Sequence, residues 1–106
     1  MLAPENRLKK KKDFENVFKN GKSIKQDSLY LKYKKNNLEQ SRFGIVVGKN
    51  YSKKAVERNK IKRRLREIIK EQNVKGLDIV IVVLPGADNS FETLKENAGK
   101  VFKKIN

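Results

Sequence analysis

Lys54-Ala55-Val56-Glu57-Arg58-Asn59-Lys60-Ile61-Lys62-Arg63-Arg64-Leu65-Arg66-Glu67-Ile68-Ile69-Lys70 is the stretch on which the fold turns. Its apolar residues recur at helical spacing, and on a wheel of about 100° per residue Ile61, Leu65, Ile68 and Ile69 share one side as a core stripe. Lys62, Arg66, Asn59, Lys70 and Arg63 fill an arc of roughly 100° away from that stripe. Arg58 falls nearer the core edge. The two carboxylates, Glu57 and Glu67, flank the cationic arc instead of lying within it, so intrahelical ion pairing does not account for the pattern. Like charges at this spacing repel by a few tenths of a kcal/mol per pair. A helix kept only for stability would intersperse Glu. At 1.5 Å per residue the cationic arc runs about 16 Å, comparable with several successive phosphates on a nucleic-acid strand. Arg offers a bidentate fork to phosphate oxygens, and Asn59 has the donor and acceptor to read a base edge or a 2′-hydroxyl. The competing reading is a solvated basic face that serves solubility alone.

Outward from this helix the charge thins. Residues 49–70 hold ten basic and two acidic groups, residues 1–25 eight and three, residues 26–48 four and two, and residues 71–106 five and five. The total, 27 Lys plus Arg against 12 Asp plus Glu, gives +15, which points to a polyanionic partner. The densest charge is interleaved with Ile and Leu, so it is mounted on a folded element and not on a loose tail. With 106 residues the chain closes one core, which excludes a two-domain enzyme. The absence of Cys and His removes disulfides, thiolate metal sites, and Ser-His-Asp or Cys-His catalysis. No carboxylate cluster suited to a pair of metal ions about 4 Å apart is visible, as a two-metal protein nuclease requires. No apolar run of membrane-spanning length occurs, and a soluble, cytoplasmic protein is expected.

The remaining elements follow from periodicity. Asp13–Lys19 reads as a short helix with Phe14, Val17 and Phe18 on one side, a start poorly marked by Lys11 and Lys12, and an Asn20-Gly21 stop. Leu29–Lys34 alternates as a strand covered on one face, and a short strand near Ile24 is compatible with the pattern. Phe43–Gly48 is a further strand with apolar groups on both faces, and the short polar connection through Asn36-Asn37 suggests antiparallel pairing with Leu29–Lys34. The long helix extends to about Gln72, with Asn73 and Gly76 ending it. Ile79–Leu84 is an unbroken β-branched run closed by Pro85-Gly86, as expected of a central strand. Asn89 with Glu92 resembles a capping box. Phe91, Leu94, Ala98, Val101, Phe102 and Ile105 then mark an amphipathic helix. Gly44 and Gly48 match no phosphate-binding loop and suit close backbone approach or a bulge. The sum is one small α+β domain over residues 1–106, with the basic segment 1–12 expected to be flexible.

The run Lys54 to Glu67 resembles the signature of the bacterial ribonuclease P protein family. The resemblance is supported, in order and spacing, by Arg7-Leu8-Lys9 leading to Asp13-Phe14 and Val17-Phe18, by Ser41-Arg42-Phe43-Gly44-Ile45-Val46-Val47-Gly48-Lys49, and by Asp78-Ile79-Val80-Ile81-Val82-Val83. It implies an α-β-β-β-α-β-α sandwich with a central mixed sheet and an unusual left-handed βαβ crossover, like ribosomal protein S5 domain 2. It also implies an accessory to a catalytic RNA. The RNA subunit would be bound by Arg58, Asn59, Lys60, Lys62, Arg63 and Arg66 with Lys49, Lys53 and Lys54. The 5′ leader of precursor tRNA would lie in a cleft with Phe14, Phe18, Tyr30 and Lys32.

Departures from the family pattern are Lys60 in place of Arg, Asn50 in place of a second Lys, and Lys32 in place of a cleft aromatic, with Tyr30 on the same strand face as a substitute. Phe14 and Phe18 keep two readings, core packing beneath the first helix or a stacking surface for bases. The function implied is endonucleolytic removal of the leader by a holoenzyme whose RNA carries the chemistry. Mg²⁺ would be held mainly by the RNA, with no organic cofactor and no catalytic or metal-ligating residue on the protein. Partners would be the RNA subunit and precursor tRNA, without a membrane or an obligate protein partner. The rival readings are a small ribosomal or other structural RNA-binding protein, and a DNA-binding module, against which stands the lack of a helix-turn-helix pair.

Overall fold

The run Leu77–Val83 forms strand β4, with Ile79, Val80 and Ile81 fully buried on alternating faces. A strand apolar on both sides takes the interior of a sheet, and the computed structural model, which describes residues 7–72, 74–87 and 90–105, places it there. The element order is α1 (Lys11–Asn20), β1 (Lys22–Gln26), β2 (Leu29–Lys35), β3 (Arg42–Val47), α2 (Ala55–Lys70), β4 and α3 (Phe91–Ile105). The four-stranded sheet has the order β1-β2-β4-β3, antiparallel except for the parallel pair β3 and β4.

This corrects the expected antiparallel pairing of Phe43–Gly48 with Leu29–Lys34. β4 lies between these two strands. The helix joining β3 to β4 brings the chain back to the end where β3 began, and this makes the two strands parallel neighbours. The connection from β2 to β3 steps past the start of β4. Asn36 N–H donates to the Gly76 carbonyl at 3.0 Å, and its Oδ1 accepts the Leu38 N–H at 2.8 Å. The strand near Ile24 is present as β1, joined to β2 through Asp27 at φ 54° and Ser28.

One face of the sheet is sealed by α2 and α3. Ile61, Leu65, Ile68 and Ile69, the stripe expected from the wheel, are the buried residues of α2. They meet Leu31, Ile79, Ile81 and the α3 residues Leu94, Ala98, Val101 and Phe102 in one cluster. The Phe102 ring stands edge-on to Phe43 with centroids 6.2 Å apart. Phe91, expected on this apolar stripe, is 41% exposed because it lies at the first position of α3, beyond the rim of the core. Asn89 lies outside the described residues, as does Asn73. The helix begins after Ser90, whose Oγ accepts the Thr93 N–H at 3.2 Å.

Among the described residues, the other face carries α1 and, beside it, Leu8. Of the segment expected to be flexible, residues 1–6 lie outside the described residues, while Arg7 bridges to Phe43 and Leu8 is buried. α1 starts at Lys11 without a side-chain cap.

Candidate nucleic-acid interface

On α2, Asn59, Lys60, Arg63 and Lys70 are exposed, Lys62, Arg64 and Arg66 are half-buried, and the four core residues occupy the opposite side. Arg58, at the core edge, donates from Nη1 to the Ser52 carbonyl at 2.8 Å. Ser52 Oγ in turn donates to Glu57 Oε2 at 2.6 Å and accepts the Lys54 N–H at 3.2 Å. Arg58 thus braces the turn that presents Lys49, Lys53 and Lys54, all exposed, beside the helix N-terminus. Its guanidinium is partly committed to that turn.

The second region follows from register. On the α1 side of the sheet, Lys34, Asp78 and Arg42 form one cross-strand row, Lys32, Val80 and Gly44 the next, and Lys25, Tyr30, Val82 and Val46 the third. α1 covers the middle row. Val17 packs in the small cluster with Val80 and Leu8, and Phe14 and Phe18 pack partly buried against it. At Gly44 a methyl group would collide with Cε1 and Cζ of the Phe14 ring, so Gly permits the ring to lie directly on the β3 backbone. Gly48 shows no such crowding.

Three polar contacts hold α1 in place. Arg42 donates from Nε and Nη2 to both oxygens of Asp78, at 2.8 and 2.6 Å, and its Nη1 lies 3.6 Å from Asp13 Oδ2 in the first turn of α1. Asn36 Nδ2 adds a bond to Asp78 at 3.0 Å. The Asp78 hydrogen bonds hold the Arg42 guanidinium above its ordinary pKa, against a smaller opposing effect of burial. Lys34 Nζ donates to Asn16 Oδ1 at 3.2 Å. Lys32 Nζ donates to the Phe18 carbonyl at 2.6 Å, placing a cation at the negative end of the helix.

The third row is therefore a strip of sheet that α1 leaves open. Lys25 is exposed, Val46 is 36% exposed, and Tyr30 and Val82 are half-buried. Phe14 and Phe18 border it, and Tyr30 lies in it. Lys32 is in the covered row beneath the α1 C-terminus and is an anchor for that helix. Reading by residue type missed Val46, Val82 and Lys25, which only the register brings together, and the Arg42–Asp78–Asp13 clamp. At the β3 edge a recess of about 120 Å³ is lined by Arg7, Phe14, Gly44 and Arg66 among others, so the basic face of α2 and the border of the strip adjoin there.

Among the described residues, no group of three or more carboxylates is arranged to hold a metal ion, and no helix is long and apolar enough to cross a membrane.

The family model described as Ribonuclease P matches residues 2–106. The chain is 36% identical over 107 residues to the ribonuclease P protein component of Thermotoga maritima, covering 93% of this chain and 91% of that one. The solved structure of the Thermotoga maritima protein superposes with a TM-score of 0.83 at 34% identity, over 94% of this chain and 97% of that one. A Staphylococcus aureus RNase P protein structure gives a TM-score of 0.86 at 28% identity, over 95% of both chains. A four-stranded mixed sheet, an Arg-Asn helix with one cationic side and near full-length similarity agree with one another: the chain belongs to the ribonuclease P protein family.

Proposed function

We propose that the chain is the protein subunit of a ribonuclease P holoenzyme acting in tRNA processing. α2 docks on the catalytic RNA subunit, and the 5′ leader of precursor tRNA lies along the open strip. The observation that carries this reading is α2 itself, which exposes Asn59, Lys60, Arg63 and Lys70 while burying Ile61, Leu65, Ile68 and Ile69. Its cations meet successive phosphates, and Asn59 supplies a donor and an acceptor for a base edge or a 2′-hydroxyl. Arg66, beside Phe14 at the β3 edge, links this docking surface to the strip. In the strip, Tyr30 and the rims of Phe14 and Phe18 offer flat apolar surface to unpaired bases, and Lys25 offers charge at its outer end.

The protein then contributes affinity and position, and the RNA contributes the hydrolytic step. Mg²⁺, held mainly by the RNA, supplies charge neutralisation at the scissile phosphodiester. The direct experiment is cleavage of precursor tRNA by a bacterial ribonuclease P RNA at low Mg²⁺, with and without this chain. Cleavage restored by the chain, with no activity from the chain alone, is the expected outcome. RNA-free cleavage that survives rigorous nuclease removal, or no effect on the RNA, contradicts the proposal.

A further inference from the structure

At one end of the sheet five element ends converge: the starts of β1 and β4 and the ends of α1, β2 and α3. Two adjoining recesses of about 440 and 410 Å³ open there, sharing Lys35, Leu77 and Ile105. Register puts Lys22 opposite Tyr33 and Lys35 opposite Leu77. Tyr33 and Leu77 pack against the cluster beneath α2 and α3, and Asn20 and Lys34 complete the first recess, so this surface lies at the end of the sheet, with the covered row of Lys32 between it and the open row of Tyr30. Each recess has the volume of a small-ligand site. The first has the half-buried Tyr33 ring in its wall with Lys22 and Lys35 beside it; the second has Lys75 and an apolar side formed by Leu38, which is 47% exposed. Lys22, Lys35 and Lys75 are exposed, and no carboxylate occurs among the described residues lining either recess.

We propose that this end of the sheet is a third RNA-binding site, separate from the α2 face and the α1 strip. It takes about two nucleotides of single-stranded RNA, one base lying against Tyr33 and the flanking phosphates meeting Lys22, Lys35 and Lys75. Two recesses that share a wall, each pairing an apolar surface with ammonium groups, match the base-and-phosphate repeat of a single strand. An acidic peptide would satisfy the lysines and leave the ring and the apolar floor without a counterpart. Lysine suits the role because it reaches phosphate as a mobile point charge without a fixed geometry.

The test is titration of the isotope-labelled full chain with an unstructured uridine decamer, followed by amide shifts around Lys22, Tyr33, Lys35 and Lys75. In the parent these shift and saturate. In the triple variant Lys22→Ala, Lys35→Ala, Lys75→Ala, whose substituted side chains are all exposed, the same shifts need at least about tenfold more decamer, and the salt dependence at this site falls by roughly 2 log units per log unit of salt. Shifts along α2 saturate as in the parent. Tyr33→Leu, which keeps an apolar side chain against the core, weakens the site about fivefold or more, the low end for loss of one stacked base. The proposal is overturned if these amides stay still while α2 saturates, or if the triple variant saturates at the parent concentration. Equal occupancy by a decameric aspartate peptide would also overturn it and assign the surface to an acidic protein.

Discussion

The two faces of the sheet are covered in different ways. On one, α2 and α3 seal the strands with a continuous apolar cluster; on the other, α1 is a single short helix held by Arg42 to Asp13, Lys34 to Asn16 and Lys32 to the Phe18 carbonyl. The sealed face carries the stability and leaves α2 free to turn its cations outward. The clamped face exchanges apolar coverage for an open row, Lys25, Tyr30, Val82 and Val46, beside two aromatic rings. An apolar seal tolerates little loss of volume, whereas a helix held by polar contacts is set in position by its charges.

Substitutions should separate the two faces. The largest effect is expected at Phe102, buried and packed on Phe43, where Phe102→Ala should cost about 3 to 5 kcal/mol in denaturant unfolding. A loss below about 1 kcal/mol would mean that the sealed face is not the source of stability. Next is Arg42→Ala, which leaves Asp78, 7% exposed, bonded only to Asn36 among the contacts described above. Because the Arg42 side chain is partly exposed, the loss should be about 2 to 3 kcal/mol, under the range for a fully buried pair. The clamp also predicts that the amide signals of α1 shift in this variant more than those of α3. Equal perturbation of the two helices would break the comparison.

Phe18→Ala should be smaller still in stability, because the ring is only half-buried. Its main effect should be on substrate. The preference of the holoenzyme for precursor tRNA with a leader of several nucleotides over mature tRNA should narrow by about 1 kcal/mol or more, the value of one base stack. A folded Phe18→Ala protein with undiminished preference would return the residue to packing alone.

Periodicity made the sealed face legible. The four buried residues of α2, the central place of Leu77–Val83 and the outward turn of Arg63 and Lys70 all follow from which side chains are apolar. The clamped face depends on register, which one sequence does not specify. Val46 and Val82 read as ordinary strand residues until β3 is found parallel to β4 and not antiparallel to β2. Nor does the sequence show that Lys32 donates to the end of α1, or that Arg42 and Asn36 meet on Asp78. Each of these polar contacts joins residues distant in sequence. Apolar spacing carries no signal about such pairs. Gly44 is the exception, since a glycine inside an apolar strand already signals close approach, and the Phe14 ring is what approaches.

The central claim is that the cationic side of α2 is a docking surface and not a solvated one. It is tested most directly by the affinity of the Arg63→Ala, Arg66→Ala protein for a bacterial ribonuclease P RNA across a series of salt concentrations, alongside its unfolding curve. Weaker binding is expected, with a salt dependence flattened by roughly 0.7 to 0.9 log units per log unit of salt for each lost phosphate contact. The stability change should be no more than about 0.5 kcal/mol for a surface position, or slightly more at the half-buried Arg66. Unchanged affinity and slope in a folded double variant would contradict the central claim.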